Sequence, residues 1–327
     1  MRVRLISTLA GAAVLVIAAT AAQAETWKGY TFMPTVTHPS YKNLEQMGQE
    51  FEKVTGGRLN VRTSAGGQLP INATAITQAV GDGIVQFAHD GFYSGNVPIG
   101  LLPFMPMLVD SKEQFDRVVQ VIRPYLDSEL DKKGVKLLAT YNFPQQSLWF
   151  TSNITSLDQL NGKKLRVANA PQAQFFTGFG VAPVTLGSPE VASALQRGVV
   201  DGAITASAGG GLLWQDSFKS NYRLTLNYDN FLVIANKDAF NALPADLRTK
   251  VEDTAKKYAE ALTKELADLE VTSTEMLKGK GIAINMPDQA AITTARAKAE
   301  PVWNDWAKST GPTAAEALAK ARQVTGN

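Results

Sequence analysis

The stretch SALQRGVVDGAITASAG, residues 193–209, combines a short helical pattern, an Asp-Gly turn and an apolar strand. The earlier stretch AITQAVGDGIVQFAHDG, residues 75–91, has the same order of helix, turn and strand. Each of them follows a further strand pattern, at residues 163–171 and 58–66 respectively. Alternating strands and helices are typical of parallel βαβ units, so the repeat predicts an α/β fold with two similar halves.

Proline and glycine mark the ends of two predicted helices. Pro39 lies in the first turn of the earlier helix, and Gly56 follows its last turn. In the later helix Ser188 is expected as the N-cap and Gly198 as the terminating residue.

The chain after the second unit is expected to connect the two halves. Residues 222–240 are predicted to form strands that cross back to the first half, with a polar break at residues 227–230. The longest helical pattern then begins at Pro244 and ends near Lys278, about 50 Å at roughly 1.5 Å per residue, which is long enough to contact both halves. The alternative is a helix broken at residues 271–274, where β-branched residues weaken it. Its single apolar stripe consists of Leu247, Val251, Ala255, Tyr258, Leu262, Leu266 and Leu269.

The N-terminus has the features of a secretory signal peptide. Two arginines precede an apolar run over residues 5–19, and the small residues of the triplet at residues 22–24 suit signal peptidase. We therefore expect a signal peptide over residues 1–24 and a mature protein in the periplasm. A permanent membrane anchor is the alternative, but the apolar run is short for a bilayer span.

Composition excludes several classes of function. The precursor has 32 Lys and Arg against 30 Asp and Glu, and two of the arginines lie in the signal peptide, so the mature chain is formally neutral. Neutral charge without a basic cluster argues against nucleic acid as the partner. The absence of cysteine excludes disulfides, thiolate metal sites and a cysteine nucleophile.

Residues suited to catalysis or metal binding are scarce. The only two histidines, His38 and His89, lie in different units and lack metal-ligand spacing. The sequence has no Gly-x-Ser-x-Gly elbow, phosphate-binding loop or dinucleotide fingerprint. We therefore expect no enzymatic activity, no metal and no cofactor.

Several predicted loops would instead suit a pocket for a small polar molecule. In open α/β sheets ligands bind outside the carboxyl ends of the strands, close to helix N-termini. The loops expected there are rich in hydroxyl, amide, aromatic and glycine residues, and they comprise residues 33–39, 63–70, 88–95, 141–147, 166–172 and 205–214.

Five stretches, spread over essentially the whole mature chain, carry a resemblance to a known family. They are HPSYKNLEQMGQEFEKVTGGRLNV, LLPFMPMLVDSKEQFDR, LDQLNGKKLRV, VAPVTLGSPEVASALQRGVVDG and ALPADLRTKVED. Together they resemble the solute receptors of tripartite ATP-independent periplasmic (TRAP) transporters, of the dicarboxylate-receptor type. The resemblance implies a two-lobed periplasmic binding protein fold, a long helix spanning both lobes, and delivery of an organic acid to TRAP membrane subunits.

Arg166, in the LRV element, is the foremost candidate for ligand binding. Its position between Leu165 and Val167 leaves open whether it is a surface charge or an anion-binding residue. The resemblance implies that this arginine forms a salt bridge with the ligand carboxylate. A guanidinium suits that role because its planar fork matches a carboxylate and it keeps its charge when buried.

Two departures from the family pattern affect the rest of the site. Many members have an asparagine after the VVDG element, where this chain has Ala-Ile-Thr-Ala, so Thr205 or Ser207 is expected to supply the polar contact. Many members also have a second arginine before the FTS-like strand, and FPQQSLWFTS has none, which favours a monocarboxylate. The other candidates are Gln145, Gln146, Phe92, Tyr93, Asn169, Trp214 and His38.

All of these other candidates except Asn169 have an ordinary structural alternative. The two glutamines could be exposed, the aromatic residues could belong to the core, and His38 could simply begin a helix. Trp149, inside an apolar strand, is predicted to be core.

The predicted lobes share the chain unequally. Lobe I comprises residues 25–145 and 229–265, and lobe II comprises residues 146–228 and 266–327 with the C-terminal helices. We expect a monomer. A receptor for an ATP-driven importer, a sensor-coupled binding protein and a periplasmic enzyme are the competing interpretations.

Overall fold

The computed structural model describes residues 24–327. The predicted signal peptide, residues 1–24, therefore lies outside the described residues except for Ala24. Among the helices of residues 24–327, none combines the length and the apolar character needed to cross a membrane.

The described chain contains nine strands and nine α-helices. The strands are β1 (Glu25–Thr31), β2 (Leu59–Ser64), β3 (Phe87–Asp90), β4 (Val135–Phe150), β5 (Lys164–Val167), β6 (Ala182–Thr185), β7 (Gly202–Thr205), β8 (Ser220–Asn236) and β9 (Ala283–Asn285). The helices are α1 (Pro39–Thr55), α2 (Ile76–Gly81), α3 (Lys112–Asp131), α4 (Ala170–Thr177), α5 (Ser188–Gln196), α6 (Lys237–Ala242), α7 (Ala245–Gly279), α8 (Gln289–Thr310) and α9 (Pro312–Thr325).

The strands form one mixed sheet in the order β2-β1-β3-β8-β4-β7-β5-β6, with β9 paired to β8. The three strands at each end pair in parallel, as βαβ wiring requires. The central pairings of β3, β8, β4 and β7 are antiparallel. The predicted α/β fold with two similar halves is confirmed.

The two halves have the same strand order, β2-β1-β3 and β6-β5-β7. In this arrangement β5 corresponds to β1 and not to β2, whereas the sequence pattern predicts β2 and β5 as equivalent strands. The missing counterpart is β6, an edge strand of four residues that is too short, and too interrupted by Pro183, to stand out in the sequence.

The long central strands β4 and β8 join the halves and correct two expectations. Residues 141–147, expected to form a loop, lie inside β4, where register shifts near Phe143 and Gln146 replace a break. The expected break at residues 227–230 is also absent, because β8 continues through it to Asn236. Polar residues inside a central strand are tolerated here because their side chains find partners or reach a cavity.

Helix ends follow the sequence signals closely. His38 is the N-cap of α1, Pro39 opens the helix, and Gly56 ends it in the left-handed conformation with a φ of 65°. The N-cap of α5 is Gly187, one residue before the expected Ser188, because the side chain of Glu190 accepts from the Gly187 N–H at 2.7 Å.

Helix α7 is continuous over 35 residues, so the alternative of a break at residues 271–274 is wrong. The hydroxyls of Thr272 and Thr274 each donate to the carbonyl four residues earlier, so both are satisfied inside the helix. Helix α7 packs against α1 in the first half and against residues 207–211 in the second half. It therefore spans both halves, as predicted.

The C-terminal helices also contact both halves. Helix α8 packs against α4, and α9 packs against α3. The indole N–H of Trp303 in α8 donates to the carbonyl of Pro106 at 2.7 Å. The assignment of these helices to one lobe, and the lobe boundaries themselves, stay predictions.

Candidate functional site

A cavity of about 220 Å³ lies where the two halves meet, at the carboxyl ends of their parallel strands. The central strands β4 and β8 form its floor. The residues that line it at strand ends and inside the central strands are Phe32, Met33, Gly91, Phe92, Phe143, Gln146, Arg166, Ala168, Asn169, Thr205, Gly209, Asp229 and Phe231. This is the edge of the sheet at which the sequence predicted a ligand pocket.

Arg166 is a buried cation in the wall of this cavity, with 5% of its surface exposed. Its Nε donates to the Leu186 carbonyl at 2.9 Å, and Nη1 donates to the Ile204 carbonyl at 3.1 Å. Within residues 24–327 its Nη2 makes no hydrogen bond and the guanidinium makes no ion pair. Burial lowers the pKa of Arg166 to about 10, so the side chain stays charged at neutral pH.

The Trp214 ring lies beside this guanidinium, with its centroid 5.9 Å from the Arg166 Cζ. A planar cation is stabilised at this distance by the negative face of an aromatic ring. Gly210 allows the arrangement, because a Cβ there would overlap the Trp214 ring. Thr205 holds the segment in place, since its Oγ1 accepts from the Gly210 N–H at 2.8 Å. Arg166 therefore has a fixed orientation before any ligand binds.

Phenylalanines form the apolar wall of the cavity. The ring centroid of Phe231 lies 5.2 Å from those of Phe32 and Phe143, and Phe92 packs edge-on against Phe32. Phe32 follows β1, whereas Phe143 and Phe231 lie on the central strands β4 and β8, so the wall joins the first half to the middle of the sheet. Such a wall suits a compact ligand that has an apolar side or a ring.

Six of the residues predicted for the site line this one cavity: Arg166, Thr205, Gln146, Phe92, Asn169 and Trp214. Asn169 is also the N-cap of α4, where its Oδ1 accepts from the Gln172 N–H. Gln146, expected to be exposed if it were not in the site, is 5% exposed. Whether these six residues touch a ligand stays a prediction.

Four predicted residues lie outside the lining. The Ser207 hydroxyl is bonded to the Thr274 hydroxyl at 2.7 Å, and the Gln145 Oε1 accepts from Thr225. Tyr93 is buried and donates to the Gly100 carbonyl. Their roles as ligand contacts stay predictions.

His38, the fourth residue outside the lining, bridges the two halves. The Ser40 N–H donates to its Nδ1, so its Nε2 carries the proton and donates to the Ala208 carbonyl at 3.2 Å. Burial lowers the pKa of His38 to about 4, so the ring is neutral at pH 7. His38 therefore begins a helix, as its structural alternative supposed, and also links the halves beside the cavity.

The sequence reasoning missed Asp229, the second charged side chain in the cavity wall. Its carboxylate accepts from Asn227 Nδ2 at 2.7 Å. The available signal was a charged residue between apolar runs in the middle of a long strand. Because the pattern at residues 227–230 predicts a break between strands, Asp229 is not among the candidates that the sequence indicates.

Two further buried titratable groups lie outside the cavity lining. His89 and Asp90 on β3 are fully buried; burial lowers the pKa of His89 to about 3 and raises that of Asp90 to about 6. Asp90 is bonded to the Thr77 hydroxyl and to the Phe92 N–H. Across the described part of the chain, no group of three or more His, Asp or Glu side chains could hold a metal ion.

Comparison with known proteins identifies the family of this chain. Residues 32–309 match the family described as bacterial extracellular solute-binding protein, family 7 (DctP). The match covers most of the chain, and the chain belongs to this family of TRAP solute receptors.

Two curated relatives and one solved structure illustrate the similarity. The C4-dicarboxylate-binding periplasmic protein DctP of Rhodobacter capsulatus is 26% identical over 69% of this chain and 71% of its own. The ectoine/5-hydroxyectoine-binding periplasmic protein UehA of Ruegeria pomeroyi is 25% identical over 76% and 74%. The Bordetella pertussis receptor DctP7, which binds pyroglutamic acid, superposes with a TM-score of 0.85 at 24% identity, covering 91% of this chain and all of its own. The fold is thus the two-lobed fold of these receptors.

Proposed function

We propose that this receptor binds a small monocarboxylate in the cavity and that Arg166 pairs with the carboxylate. The supporting observation is a buried guanidinium, held by two carbonyls and an aromatic ring, whose Nη2 makes no hydrogen bond and which forms no ion pair within the described residues. A buried charge is costly unless it is paired, so a ligand carboxylate would complete the site. The proposed role of Arg166, a salt bridge with the ligand carboxylate, is the one that the family resemblance implies.

A single carboxylate is favoured because, among residues 24–327, Arg166 is the only cationic side chain in the lining. The relatives bind chemically different acids, among them a C4-dicarboxylate, ectoine and pyroglutamic acid. The aromatic wall and the small volume of this cavity suit a compact acid with one charged end.

The receptor is proposed to act in the periplasm as a monomer and to pass its ligand to TRAP membrane subunits. Binding without reaction fits the lining, in which no histidine stands near a serine or threonine nucleophile. We propose lobes that correspond to the predicted boundaries and that close on the ligand.

The test is a thermal-shift screen of small organic acids, followed by calorimetry on wild type and Arg166→Ala. A ligand that binds only the folded state raises the melting temperature, so hits are expected among monocarboxylates. Arg62→Ala is the matched control, because Arg62 is exposed on the edge strand β2 and lies outside the cavity. If Arg166→Ala binds the best hit as tightly as Arg62→Ala does, the proposed role of Arg166 is wrong.

A further inference from the structure

The cavity contains one anionic side chain as well as one cationic side chain. Asp229 on β8 and Arg166 on β5 both line it, and among the described residues no other charged side chain does. Within residues 24–327 they form no ion pair with each other or with any other side chain. The empty cavity therefore presents two separate charges of opposite sign.

A chain of amide groups fixes the orientation of the Asp229 carboxylate. The Ala168 N–H donates to Gln172 Oε1 at 2.9 Å, and Gln172 Nε2 donates to Asn227 Oδ1 at 3.1 Å. Asn227 Nδ2 in turn donates to Asp229 Oδ1 at 2.7 Å. Because Gln172 and Asn227 are fully buried, this chain has little freedom to rearrange.

The other carboxylate oxygen of Asp229, Oδ2, receives no hydrogen bond from any described residue. Desolvation raises the pKa of Asp229 to about 7 and outweighs the opposing effects of the Asn227 hydrogen bond and the Arg166 charge. A hydrogen-bond donor supplied by a ligand would satisfy Oδ2 and favour the ionised form. Asp229 and Phe231 are two residues apart on one strand, so they present a carboxylate and an aromatic ring side by side.

We propose, resting on the function proposed above, that Asp229 selects carboxylic acids that also carry an N–H donor, either the neutral N–H of a cyclic amide or an ammonium group. Arg166 binds the carboxylate of such a ligand, and Asp229 accepts its N–H. An acid that lacks the donor leaves Asp229 either ionised without a partner or protonated beside an apolar group. Both cases weaken binding.

The test compares two pairs of acids that differ only in one ring position. Pyroglutamate is paired with 3-oxocyclopentane-1-carboxylate, and proline with cyclopentanecarboxylate; in each pair a CH₂ replaces the ring nitrogen. Calorimetry on wild type is expected to give about tenfold or more tighter binding for the nitrogen-containing member of at least one pair, the value of a hydrogen bond to a charged group. The pair that responds distinguishes a neutral amide donor from an ammonium donor.

Two substitutions of Asp229 distinguish the effect of its hydrogen-bond acceptor from the effect of its negative charge. Asp229→Leu removes the acceptor, so the preference within the responding pair is expected to fall to about twofold or less while the CH₂ member still binds. Asp229→Asn keeps an acceptor without charge, so it should retain more of the preference for pyroglutamate than for proline. Asp216→Asn, an exposed acid outside the cavity, should leave every ratio unchanged.

Arg166→Ala identifies which proposal fails. It is expected to weaken both members of a pair equally and to leave their ratio unchanged. Equal affinities within both pairs for wild type, a preference that survives Asp229→Leu, or no binding of any of the four acids at millimolar concentration would overturn the role of Asp229. Unchanged affinity in Arg166→Ala would overturn the carboxylate assignment instead.

Discussion

All hydrogen-bond partners of Arg166 in the described residues are neutral carbonyls. Substituting Arg166 therefore measures how much its pairing with the ligand carboxylate contributes to the binding free energy. In Arg166→Ala the ligand carboxylate would be buried without a charge partner, at a cost of about 3 to 5 kcal/mol, or two to three and a half decades in affinity. Arg166→Lys keeps the charge but loses the planar fork, so only part of the affinity should return. Calorimetry with the acid found by screening checks both values.

Melting curves without ligand are the control for Arg166. Arg166→Ala removes the cost of burying a charge but also two hydrogen bonds and the contact with Trp214, so the melting temperature of the apo protein should change little. A markedly lower melting temperature for apo Arg166→Ala would instead identify Arg166 as a structural residue.

Asp229 should make the stability of the ligand-free protein depend on pH. Burial raises its pKa to about 7, whereas an unfolded aspartate titrates near pH 4. Between these values the folded protein binds more protons than the unfolded chain, so Asp229 lowers the free energy of unfolding as the pH rises through this window. Asp229→Asn removes the effect, and its melting temperature relative to wild type should therefore increase from pH 5 to pH 8.

The control for the pH prediction is Asp216→Asn, which changes an exposed carboxylate. The other buried groups that titrate in this range, such as Asp90, are present in both proteins and cancel in the difference. A difference in melting temperature between Asp229→Asn and wild type that stays constant from pH 5 to pH 8 would contradict the prediction.

At the scale of elements, α7 holds the segment at residues 207–211 that forms part of the cavity wall. Glu270 accepts from the Ala208 N–H at 2.8 Å and from Arg223 Nη2 at 3.1 Å, and all three groups are largely buried. Glu270→Ala would leave both donors without this acceptor. We expect the free energy of unfolding, measured with urea, to fall by about 3 to 5 kcal/mol.

Glu265→Ala is the matched control on the same helix, because Glu265 is exposed. Its effect on unfolding should stay within about 0.5 kcal/mol of zero, as is usual for surface substitutions. Equal effects of the two substitutions would show that α7 does not depend on its contact with residues 207–211.

At the scale of the whole molecule, the two halves should approach each other when ligand binds. The cavity takes its wall from both halves, so a ligand contacts both walls only when they are close, and it shifts the population toward that form. Small-angle scattering should give a smaller radius of gyration with saturating ligand. An identical scattering profile with and without ligand would argue against mobile lobes.

The features that the sequence determined by itself depend on near neighbours in the chain. The three- and four-residue spacing of apolar side chains predicted α7, and the repeated order of helix, turn and strand predicted the two parallel halves. Pro39 and Gly56 marked a helix correctly because capping depends on the local backbone. Arg166 could be singled out because the short LRV element carries the resemblance.

Only the tertiary structure decided the composition of the cavity, because its walls depend on which strands pair. Residues 141–147 and 227–230 are polar interruptions by local pattern, yet the pairing of β4 with β8 keeps both in strand. The same pairing places Asp229 and Phe231 opposite residues of β4. The pairing of β1 with β3 and of β3 with β8 brings the Phe32 ring centroid to 5.2 Å from that of Phe231. The local periodicity of apolar residues predicts which face of an element is buried. Contacts between residues about 200 positions apart depend instead on the order of the strands and on their register.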